Sequence, residues 1–412
     1  MKAGIINIGS ELTSGLVCNS NASHIGKILC LFSLDVGFIL TLPDRVDTIV
    51  KALKQVCDGA QLVVITGGLG PTHDDCTKEA LAKFTKRKLS FHKETAELVE
   101  KKLLERGVRI SNERFLGAYQ PEGMEILKNP IGTAPGLRFS HRGTEFFVFP
   151  GVPVEMEVMA EQYLIPYLEK VSRERRTIKV IRTFQLPESK INELLEPVIE
   201  EFPLLDVAFL PRHISNDIVI NAPSEEKISL DRFVEEAKRA LGEKIYGYDE
   251  DTMESTVGKL LRDKNLTLSV AESCTGGLVS NRITNIPGSS EYFMGGIVSY
   301  DNSVKINILK VKAETIEKYG AVSEQTAVEM AEGVRKVLGT DIGVSTTGIA
   351  GPSGGTKDKP VGTVWVGYSD REKAFAKKFI VNYNRELNKL IFSQLCLDTL
   401  RVELLREKGE GK

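Results

Sequence analysis

The clearest candidate for chemistry is a turn of small polar residues between a predicted strand and a predicted helix. Apolar residues alternate before the turn and recur at helical spacing after it. The residues of the turn are Ser273, Cys274, Thr275, Gly276 and Gly277. Such a turn leaves backbone N–H groups unpaired, and with the helix dipole they favour negative charge, so a hydroxyl there could act as a nucleophile. The alternative is an ordinary helix cap, because Ser and Thr commonly begin helices.

The histidines limit which base could activate this turn. The chain has 5 histidines, and the last of them is His213. A Ser-His or Cys-His pair would need a histidine from another domain or subunit, and otherwise the base must be Lys, Tyr or a carboxylate. Tyr300 and Lys305 are the candidates. Lys305 can take a proton near pH 7 only if its pKa is lowered by about three units; otherwise it is a solvated surface lysine.

A glycine-rich loop, Thr346–Gly355, follows the predicted strand Asp341–Ser345 in the same part of the chain. It has no acidic residue, so oxyanion donors or a phosphate cradle fit it better than a metal site. Its candidate binding residues are Thr347, Gly348 and Gly351. A long flexible turn is the alternative.

A similar loop near the N-terminus follows the predicted strand Leu62–Thr66. Glycines at the end of a strand let a phosphate approach the backbone, and the start of the next helix favours an anion. The candidate phosphate-binding residues of this loop are Thr66, Gly67, Gly68, Gly70 and Thr72.

Two acids, Asp74 and Asp75, come directly after this loop. Beside a phosphate they require a cation, which predicts Mg²⁺ or a similar metal that prefers oxygen ligands. Glu11 and Asp44 also follow predicted strands and could converge on the same edge. The alternative is a capping box, because Thr72-x-x-Asp75 has that spacing.

Two further loops are typical of segments that line a site. The first is NPIGTAPG, with Asn129, Gly132 and Thr133. The second is FPGVPVEM, with Gly151, and it leads into a helix that carries Glu155 near its start. Both loops could also be simple connectors with turn chemistry.

Hydrophobic periodicity supplies the elements that would position these residues. Strands and helices alternate over residues 1–170 and again over 249–412, which predicts two α/β domains with mainly parallel sheets. Residues 171–248 predict a small α+β domain that joins them. Because ligands bind at the carboxyl ends of parallel strands, the glycine loops are expected at that edge of each sheet.

Composition excludes several classes of protein. The chain of 412 residues is 42% hydrophobic and 27% charged with a formal net charge of -2, which does not favour a nucleic-acid partner. We find no apolar run long enough to span a membrane. The 6 cysteines are scattered without a C-x-x-C pair, which favours a reducing cytoplasm over a disulfide framework or a thiolate zinc site.

The chain resembles the CinA family of competence/damage-inducible proteins over nearly its whole length. In the C-terminal part the resemblance lies in AESCTGG, PGSSEYFMGGIVSYDNSVK, GAVSEQTA and TGIAGPSGGTKDKPVGTVW. In the N-terminal part it lies in TGGLGPTHDD, NPIGTAPG and PGVPVEM. The N-terminal part is also similar to molybdopterin-binding domains of the MoaB/MogA type.

For the C-terminal domain this resemblance implies a nicotinamide mononucleotide deamidase that needs no cofactor. The family is a Ser/Lys amidohydrolase, which by motif makes Ser273 the nucleophile and Lys305 the base. Cys274 and Thr275 remain alternatives for the nucleophile because they share the turn, and Tyr300 remains a catalytic candidate. The implied substrate-binding residues are Gly276, Gly277, Thr347, Gly348, Gly351 and Arg385.

For the N-terminal domain the resemblance implies an ADP-ribose pyrophosphatase that yields AMP and ribose 5-phosphate. A divalent metal such as Mg²⁺ is expected near Glu11, Asp44, Asp74 and Asp75, with a monovalent cation as an additional candidate. The expected partners are these small nucleotides and a second copy of the chain as a homodimer, in the cytoplasm, without nucleic acid or membrane.

The chain departs from the family pattern at one place. Relatives often carry Gly-Asp-Arg and a second Arg four residues later, whereas this chain has Tyr383, Asn384, Arg385 and then Lys389. If this pair binds the nucleotide phosphate, Lys389 would bind it as a point charge without a bidentate fork.

Two other functions are consistent with parts of the sequence. In one, the N-terminal domain only binds a pterin or nucleotide and the deamidase is the sole activity. In the other, the protein is an accessory to DNA uptake or repair, as the family name suggests, although no basic stripe or interleaved aromatic cluster supports it.

Overall fold

The computed structural model describes residues 1–57, 59–72, 74–105, 107, 117–212 and 214–406. His73 and His213 therefore lie outside the described residues. The chain divides into two compact units: Met1–Ile178 with Ala222–Lys227, and Lys179–Asn221 with Ile228–Lys412. The three domains predicted at 1–170, 171–248 and 249–412 stay a prediction.

In the first unit, strands and helices alternate as predicted up to Glu105, after which the described residues form four strands in succession without an α-helix between them. In chain order the elements are β1 (Lys2–Ile8), α1 (Ser10–Thr13), α2 (Ser20–Leu31), β2 (Asp35–Leu42), α3 (Val46–Val56), β3 (Leu62–Thr66), α4 (Thr77–Thr85), β4 (Leu89–Phe91), α5 (Lys93–Glu105), β5 (Tyr119–Pro121), β6 (Glu125–Leu127), β7 (Gly136–His141), β8 (Thr144–Phe149), α6 (Pro153–Met159) and α7 (Ile165–Val171).

The main sheet of this unit has the strand order β2-β1-β3-β8-β7-β6. β2, β1, β3 and β8 run parallel to one another, and β7 pairs antiparallel with both β8 and β6. The central strands are buried on both faces: Ile6 and Val63 belong to one apolar cluster, and Ile5 and Val64 belong to the other. The loops after β1, β2, β3 and β8 therefore meet at one edge, where the predicted acids and glycines lie.

A smaller sheet follows, with the strand order β10-β11-β9-β12. Its elements are β9 (Arg176–Thr183), α8 (Glu188–Glu201), β10 (Asp206–Pro211), β11 (Asn216–Pro223), α9 (Lys227–Leu241) and β12 (Ile245–Tyr248). Arg401, near the end of the chain, donates hydrogen bonds to the carbonyls of Glu243 and Ile245 beside this sheet.

The last part of the chain forms a third sheet, with the strand order β14-β13-β15-β16-β17. Its elements are α10 (Met253–Lys264), β13 (Leu268–Glu272), α11 (Leu278–Thr284), β14 (Phe293–Val298), α12 (Asn302–Asn307), α13 (Ala313–Tyr319), α14 (Glu324–Leu338), β15 (Ile342–Gly348), β16 (Thr363–Ser369), β17 (Ala374–Ile380) and α15 (Arg385–Arg406). β14, β13 and β15 are parallel, and β16 and β17 are antiparallel.

The predicted class, α/β with mainly parallel sheets, is confirmed. β17 was not predicted; it is a partly exposed edge strand that carries Lys377 and Lys378, which weakens its hydrophobic pattern. Within the described residues, no helix combines the length and apolar character needed to cross a bilayer.

Candidate active sites

The turn after β13 opens onto a cavity of about 200 Å³ at the carboxyl edge of the third sheet. The cavity is lined by Ser273, Cys274, Tyr300, Asn302, Lys305, Ala321, Val322, Thr347, Gly348, Ala350 and Arg385. These residues follow β13 and β14, precede α14, end β15 and begin α15, so five separate segments meet here. Sequence analysis did not single out Asn302, Ala321, Val322 or Ala350.

Lys305 is buried beneath this cavity and is only 1% exposed. Its Nζ donates hydrogen bonds to the backbone carbonyls of Ser299 at 2.7 Å and Tyr300 at 3.0 Å. In the described part of the chain, no carboxylate forms an ion pair with it. Burial lowers the pKa of Lys305, although nearby Asp301 opposes the shift. Lys305 is therefore not a solvated surface lysine.

Ser273 lies directly beyond β13, and its N–H donates to the carbonyl of Thr346 at 2.9 Å. The residue is 9% exposed and lines the same cavity as Lys305. Because β13 and β14 are parallel neighbours, the residues after each strand meet at one edge. The Lys305 side chain reaches back to this edge by binding the carbonyl of Ser299. Topology thus brings the hydroxyl and the amine to one cavity.

The other two candidate nucleophiles are placed differently. Thr275 is fully buried, and its hydroxyl hydrogen-bonds with Glu272 Oε2 at 2.7 Å and Thr346 Oγ1 at 2.7 Å. Thr275 is not among the cavity-lining residues. Cys274 does line the cavity, but burial raises the pKa of its thiol to about 12, so the thiol is protonated at neutral pH.

Glu272, the last residue of β13, organises the turn and was missed by sequence analysis. Its carboxylate is fully buried and accepts hydrogen bonds from two hydroxyls and three backbone amides. The donors are Thr275 Oγ1, Ser280 Oγ and the N–H groups of Gly277, Val279 and Ser280. The expectation that the amides at this helix start remain unpaired is wrong for these three, because the chain supplies its own carboxylate. The only sequence signal was an acid at the end of an apolar strand.

Arg385 and Tyr300 line the cavity, whereas Gly351, like Gly276 and Gly277, is not among its lining residues. Arg385 donates to the Gly351 carbonyl at 2.7 Å and to the Tyr300 hydroxyl at 3.3 Å. Tyr300 is 63% exposed, so its hydroxyl lies at the surface beside Arg385. Gly276 lies near Lys389, whose Nζ is 3.6 Å from the position of a Cβ on that glycine.

Asn388 and Thr347 hold the loops around this cavity. Asn388 is fully buried and donates to the carbonyls of Ala350 at 3.0 Å and Tyr383 at 2.9 Å. Thr347 donates its hydroxyl to the carbonyl of Ala321 at 2.7 Å. Asn388 was not predicted, because nothing local distinguishes it from other polar residues of α15.

A second cavity, of about 450 Å³, lies at the carboxyl edge of the N-terminal sheet. It is lined by Glu11, Asp44, Asp74, Asp75 and Glu155, by the loop residues Gly67, Gly68, Gly70, Thr133 and Gly151, and by six other residues including Gly9 and Pro150. The four predicted metal ligands are thus brought to one cavity, together with a fifth acid that was not counted among them.

The glycine loop of this cavity has a backbone that only glycine fits. Gly67 has a φ of +99°, and a Cβ there would lie 2.0 Å from the carbonyl oxygen of Ile8. Thr66 is buried instead of lining the cavity, and its hydroxyl accepts a hydrogen bond from the Asn7 amide at 2.7 Å.

Asp75 shapes the segment after this loop. Its carboxylate accepts the N–H of Gly70 at 2.9 Å and the N–H of Thr72 at 2.9 Å. The Thr72 hydroxyl hydrogen-bonds with both Asp74 and Asp75. The capping-box alternative fails, because α4 begins only at Thr77 and its cap residue Cys76 makes no side-chain capping bond.

The carboxylates suit a metal that arrives together with phosphate. Among the described residues, no three His, Cys, Asp or Glu side chains are arranged to hold an ion by themselves. Mg²⁺ at nucleotide sites usually takes one or two carboxylates and completes its shell with phosphate oxygens and water. Five acids around one cavity would repel a phosphate unless a cation lay between them. The carboxylates of this cavity therefore fit a divalent ion that also binds phosphate oxygens.

The loop with Asn129 and Gly132 is held by the Asn129 side chain. Its Oδ1 accepts the N–H groups of Ile131 at 3.1 Å and Gly132 at 2.7 Å. Its Nδ2 donates to the carbonyl of Ala134 at 2.9 Å and to Glu155 Oε2 at 2.7 Å. The Asn129 amide thus makes its contacts within the protein, while Thr133 and Gly151 line the cavity itself.

Comparison with known proteins identifies a family for each of the two larger parts of the chain. The model described as CinA C-terminal domain matches residues 250–404, and the model described as Probable molybdopterin binding domain matches residues 4–170. A CinA-like protein of Kosmotoga olearia is 40% identical over 409 residues, which are 98% of this chain and 99% of that protein. A CinA-like protein of Dictyoglomus thermophilum is 38% identical over 409 residues, covering 98% and 100%. A solved CinA structure from Thermoplasma acidophilum, of unknown function, is 33% identical, covers 39% of this chain and 94% of that chain, and has a TM-score of 0.37.

Proposed function

The chain belongs to the CinA family, and on that premise we propose that its C-terminal part is an amidohydrolase that converts nicotinamide mononucleotide to nicotinic acid mononucleotide and ammonia. The observation that carries this proposal is the buried Lys305, which lines one cavity with Ser273. Burying an amine without a carboxylate partner is costly, and it favours the neutral form that a base requires. A lysine in that state is typical of a functional site.

The reaction follows from these two groups. Neutral Lys305 takes the proton of the Ser273 hydroxyl while the serine oxygen attacks the carboxamide carbon. The carbon–nitrogen bond of the resulting tetrahedral intermediate breaks, and the ammonium of Lys305 returns the proton to the leaving nitrogen, which departs as ammonia. Lys305 then takes a proton from water, whose oxygen attacks the acyl carbon. The bond from that carbon to the Ser273 oxygen breaks, the ammonium of Lys305 returns the proton to the serine oxygen, and the acid product leaves and ionises to the carboxylate. The oxyanion would be stabilised by polar groups of the segment with Thr347 and Gly348, which line the cavity.

The nucleotide phosphate would lie at the rim. Arg385 lines the cavity, and Lys389 lies one turn further along α15 beside Gly276. Both are cationic, and the phosphate is the only strongly anionic group of the substrate. Lys389 gives this chain a weaker, single-point contact than the arginine of many relatives would.

For the N-terminal part we propose a metal-dependent ADP-ribose pyrophosphatase that releases AMP and ribose 5-phosphate. The supporting observation is a glycine loop and five carboxylates around one cavity. One or two of the carboxylates of Glu11, Asp44, Asp74 and Asp75 would hold the divalent ion together with phosphate oxygens, and the ion when bound would neutralise the charge of the phosphates. Gly67, Gly68 and Gly70 would let the phosphates approach the backbone.

One set of assays on the full chain tests both proposals. Wild type, Ser273→Ala and Lys305→Ala are incubated with nicotinamide mononucleotide and ammonia is measured; each substitution should lower kcat at least a thousandfold. The same proteins are incubated with ADP-ribose and Mg²⁺ or EDTA, and AMP is measured. AMP should form only with Mg²⁺ and equally in all three proteins.

The results also separate the alternatives. Ammonia without AMP would indicate a deamidase whose N-terminal part only binds a pterin or nucleotide. Neither product, together with salt-sensitive binding of DNA, would favour an accessory role in DNA uptake or repair.

A further inference from the structure

The Asn129 side chain holds Glu155 in the N-terminal cavity through a hydrogen bond. Asn129 is nearly buried, and every polar atom of its side chain is used: two backbone amides donate to Oδ1, and Nδ2 donates to Ala134 O and Glu155 Oε2. Lys102 fastens the same loop by donating to the carbonyls of Asn129 and Gly132. The position of one oxygen of the Glu155 carboxylate is therefore set by a loop that is itself fixed.

Gly132 makes room for this carboxylate. A Cβ at position 132 would lie 1.9 Å from Glu155 Oε2 and 2.4 Å from Asn129 Nδ2. Any larger residue there would push the carboxylate away from the amide that holds it. The glycine thus serves the placement of Glu155, in addition to the turn that its loop makes.

Strand order places Glu155 far from Asp44 along the edge of the sheet, whereas Asp74 and Asp75 follow β3, the neighbour of β8. Along the carboxyl edge the order is β2, β1, β3, β8. Asp44 follows β2, whereas Glu155 follows β8. Neighbouring strands lie about 4.8 Å apart, so roughly 14 Å separates these two strands. Mg²⁺ takes its ligands at about 2.1 Å, so Glu155 is poorly placed to share an ion with Asp44. The glycine loop after β3 lies between them.

We propose that Glu155 is the general base of the N-terminal reaction, an inference that rests on the pyrophosphatase proposed above. Glu155 takes a proton from water, and the water oxygen forms a bond to one phosphorus of the pyrophosphate. The bond from that phosphorus to the bridging oxygen breaks, and the bridging oxygen leaves with the other phosphate. Asp44 and Glu11 follow β2 and β1 on one side of the cavity, and the amide-held carboxylate of Glu155 follows β8 on the other, so acids face the two sides of such a displacement.

The test compares three variants of the full chain with wild type. Glu155→Gln removes the base and keeps the shape. Gly132→Ala keeps the charge but displaces the carboxylate. Glu157→Gln, on the same helix, is the matched control, since Glu157 is 43% exposed and contacts only His24 at 3.7 Å in the ion pairs of the described residues. The measurements are kcat and KM for AMP release from ADP-ribose with Mg²⁺, calorimetric binding of AMP with Mg²⁺, and the melting temperature.

A general base contributes 10²–10⁴-fold, so Glu155→Gln should lower kcat at least a hundredfold. Its KM and its Kd for AMP should stay within threefold of wild type, and its melting temperature should be unchanged. Gly132→Ala should lower kcat at least tenfold, and Glu157→Gln should behave as wild type. A residue with a merely structural role would not lower kcat while KM, the Kd for AMP and the melting temperature stay unchanged.

Two results would overturn the inference alone. One is that wild type releases AMP and that the kcat values of Glu155→Gln and Gly132→Ala both stay within threefold of the wild-type value. The other is a loss of AMP binding in Glu155→Gln of more than tenfold, which would make Glu155 a ligand for the metal or nucleotide. If wild type releases no AMP, the pyrophosphatase proposal fails and this inference fails with it.

Discussion

The hydroxyl of Thr275 donates a 2.7 Å hydrogen bond to Glu272 Oε2, and both side chains are fully buried. This bond removes Thr275 from the surface of the cavity and ties the turn to the end of β13. Ser273, two residues earlier, is left as the hydroxyl of the turn that lines the cavity. The two hydroxyls are nearly equivalent in sequence and have different surroundings in the fold.

We therefore expect Ser273→Ala and Thr275→Val to fail in different ways. Ser273→Ala should keep the wild-type melting temperature and lower kcat for ammonia release at least a thousandfold, because the nucleophile is gone. Thr275→Val should cost about 1–2 kcal/mol of stability, because it breaks buried hydrogen bonds, and should keep measurable turnover. Thermal unfolding and steady-state kinetics on both variants check this. A stable but inactive Thr275→Val would reassign the nucleophile.

Glu272→Gln should destabilise the C-terminal part. A glutamine can accept with only one of its two terminal atoms, and its NH₂ group would face donors that now point at a carboxylate oxygen. Leaving buried donors unpaired costs about 1–3 kcal/mol each, so we expect a melting temperature lower by several degrees and a reduced kcat. Glu317→Gln, an exposed acid on α13, is the control and should leave both values unchanged. A wild-type melting temperature for Glu272→Gln would contradict this role.

Cys274 should be dispensable although it adjoins the nucleophile. Burial raises the pKa of its thiol to about 12, so almost no thiolate exists at pH 8. Cys274→Ala should therefore keep kcat within about fivefold of wild type, and iodoacetamide at pH 8 should not inactivate the native protein. Rapid alkylation that is prevented by nicotinamide mononucleotide would show that the thiol is accessible and ionised.

The deamidase should lose activity as the pH falls, because protonation of Lys305 removes the base. Burial lowers the pKa of Lys305 below its usual 10.5, and the neutral amine is the active form. kcat/KM should rise about tenfold per pH unit below the lowered pKa and level off above it. A profile that is flat or falls from pH 6 to 9 would contradict a lysine base.

The lowered pKa of Lys305 also makes the folding stability depend on pH. Between the lowered pKa and 10.5 the unfolded chain binds more protons at Lys305 than the folded chain, so folding stability rises with pH in that window. Lys305→Met removes the buried titratable amine, and we expect a higher melting temperature than wild type at pH 7, with the difference shrinking as the pH approaches 10.5. Thermal scans at several pH values measure it. A lower melting temperature for Lys305→Met at pH 7 would contradict this expectation and show that the hydrogen bonds of the Lys305 amine outweigh the cost of burying it.

Much of the fold follows from periodicity, because the central strands of the two larger sheets bury regular apolar patterns. β3 (LVVIT) and β13 (LSVAE) are recognisable as buried strands from their residues alone. β17 could not be predicted in this way, because an edge strand with lysines at its centre has no continuous apolar face. The glycine loops are recognisable for a similar local reason, since consecutive glycines after a strand have few other uses.

Local patterns thus identified the turn at Ser273, the loop at Gly67 and the acids around them, because these features depend on the neighbouring residues along the chain. The burial of Lys305, the five donors around Glu272 and the placement of Glu155 by Asn129 depend on contacts between segments far apart in sequence. Whether a lysine is solvated or enclosed, or whether an acid accepts five hydrogen bonds or none, is set by what packs around it, and no single stretch of residues contains that information.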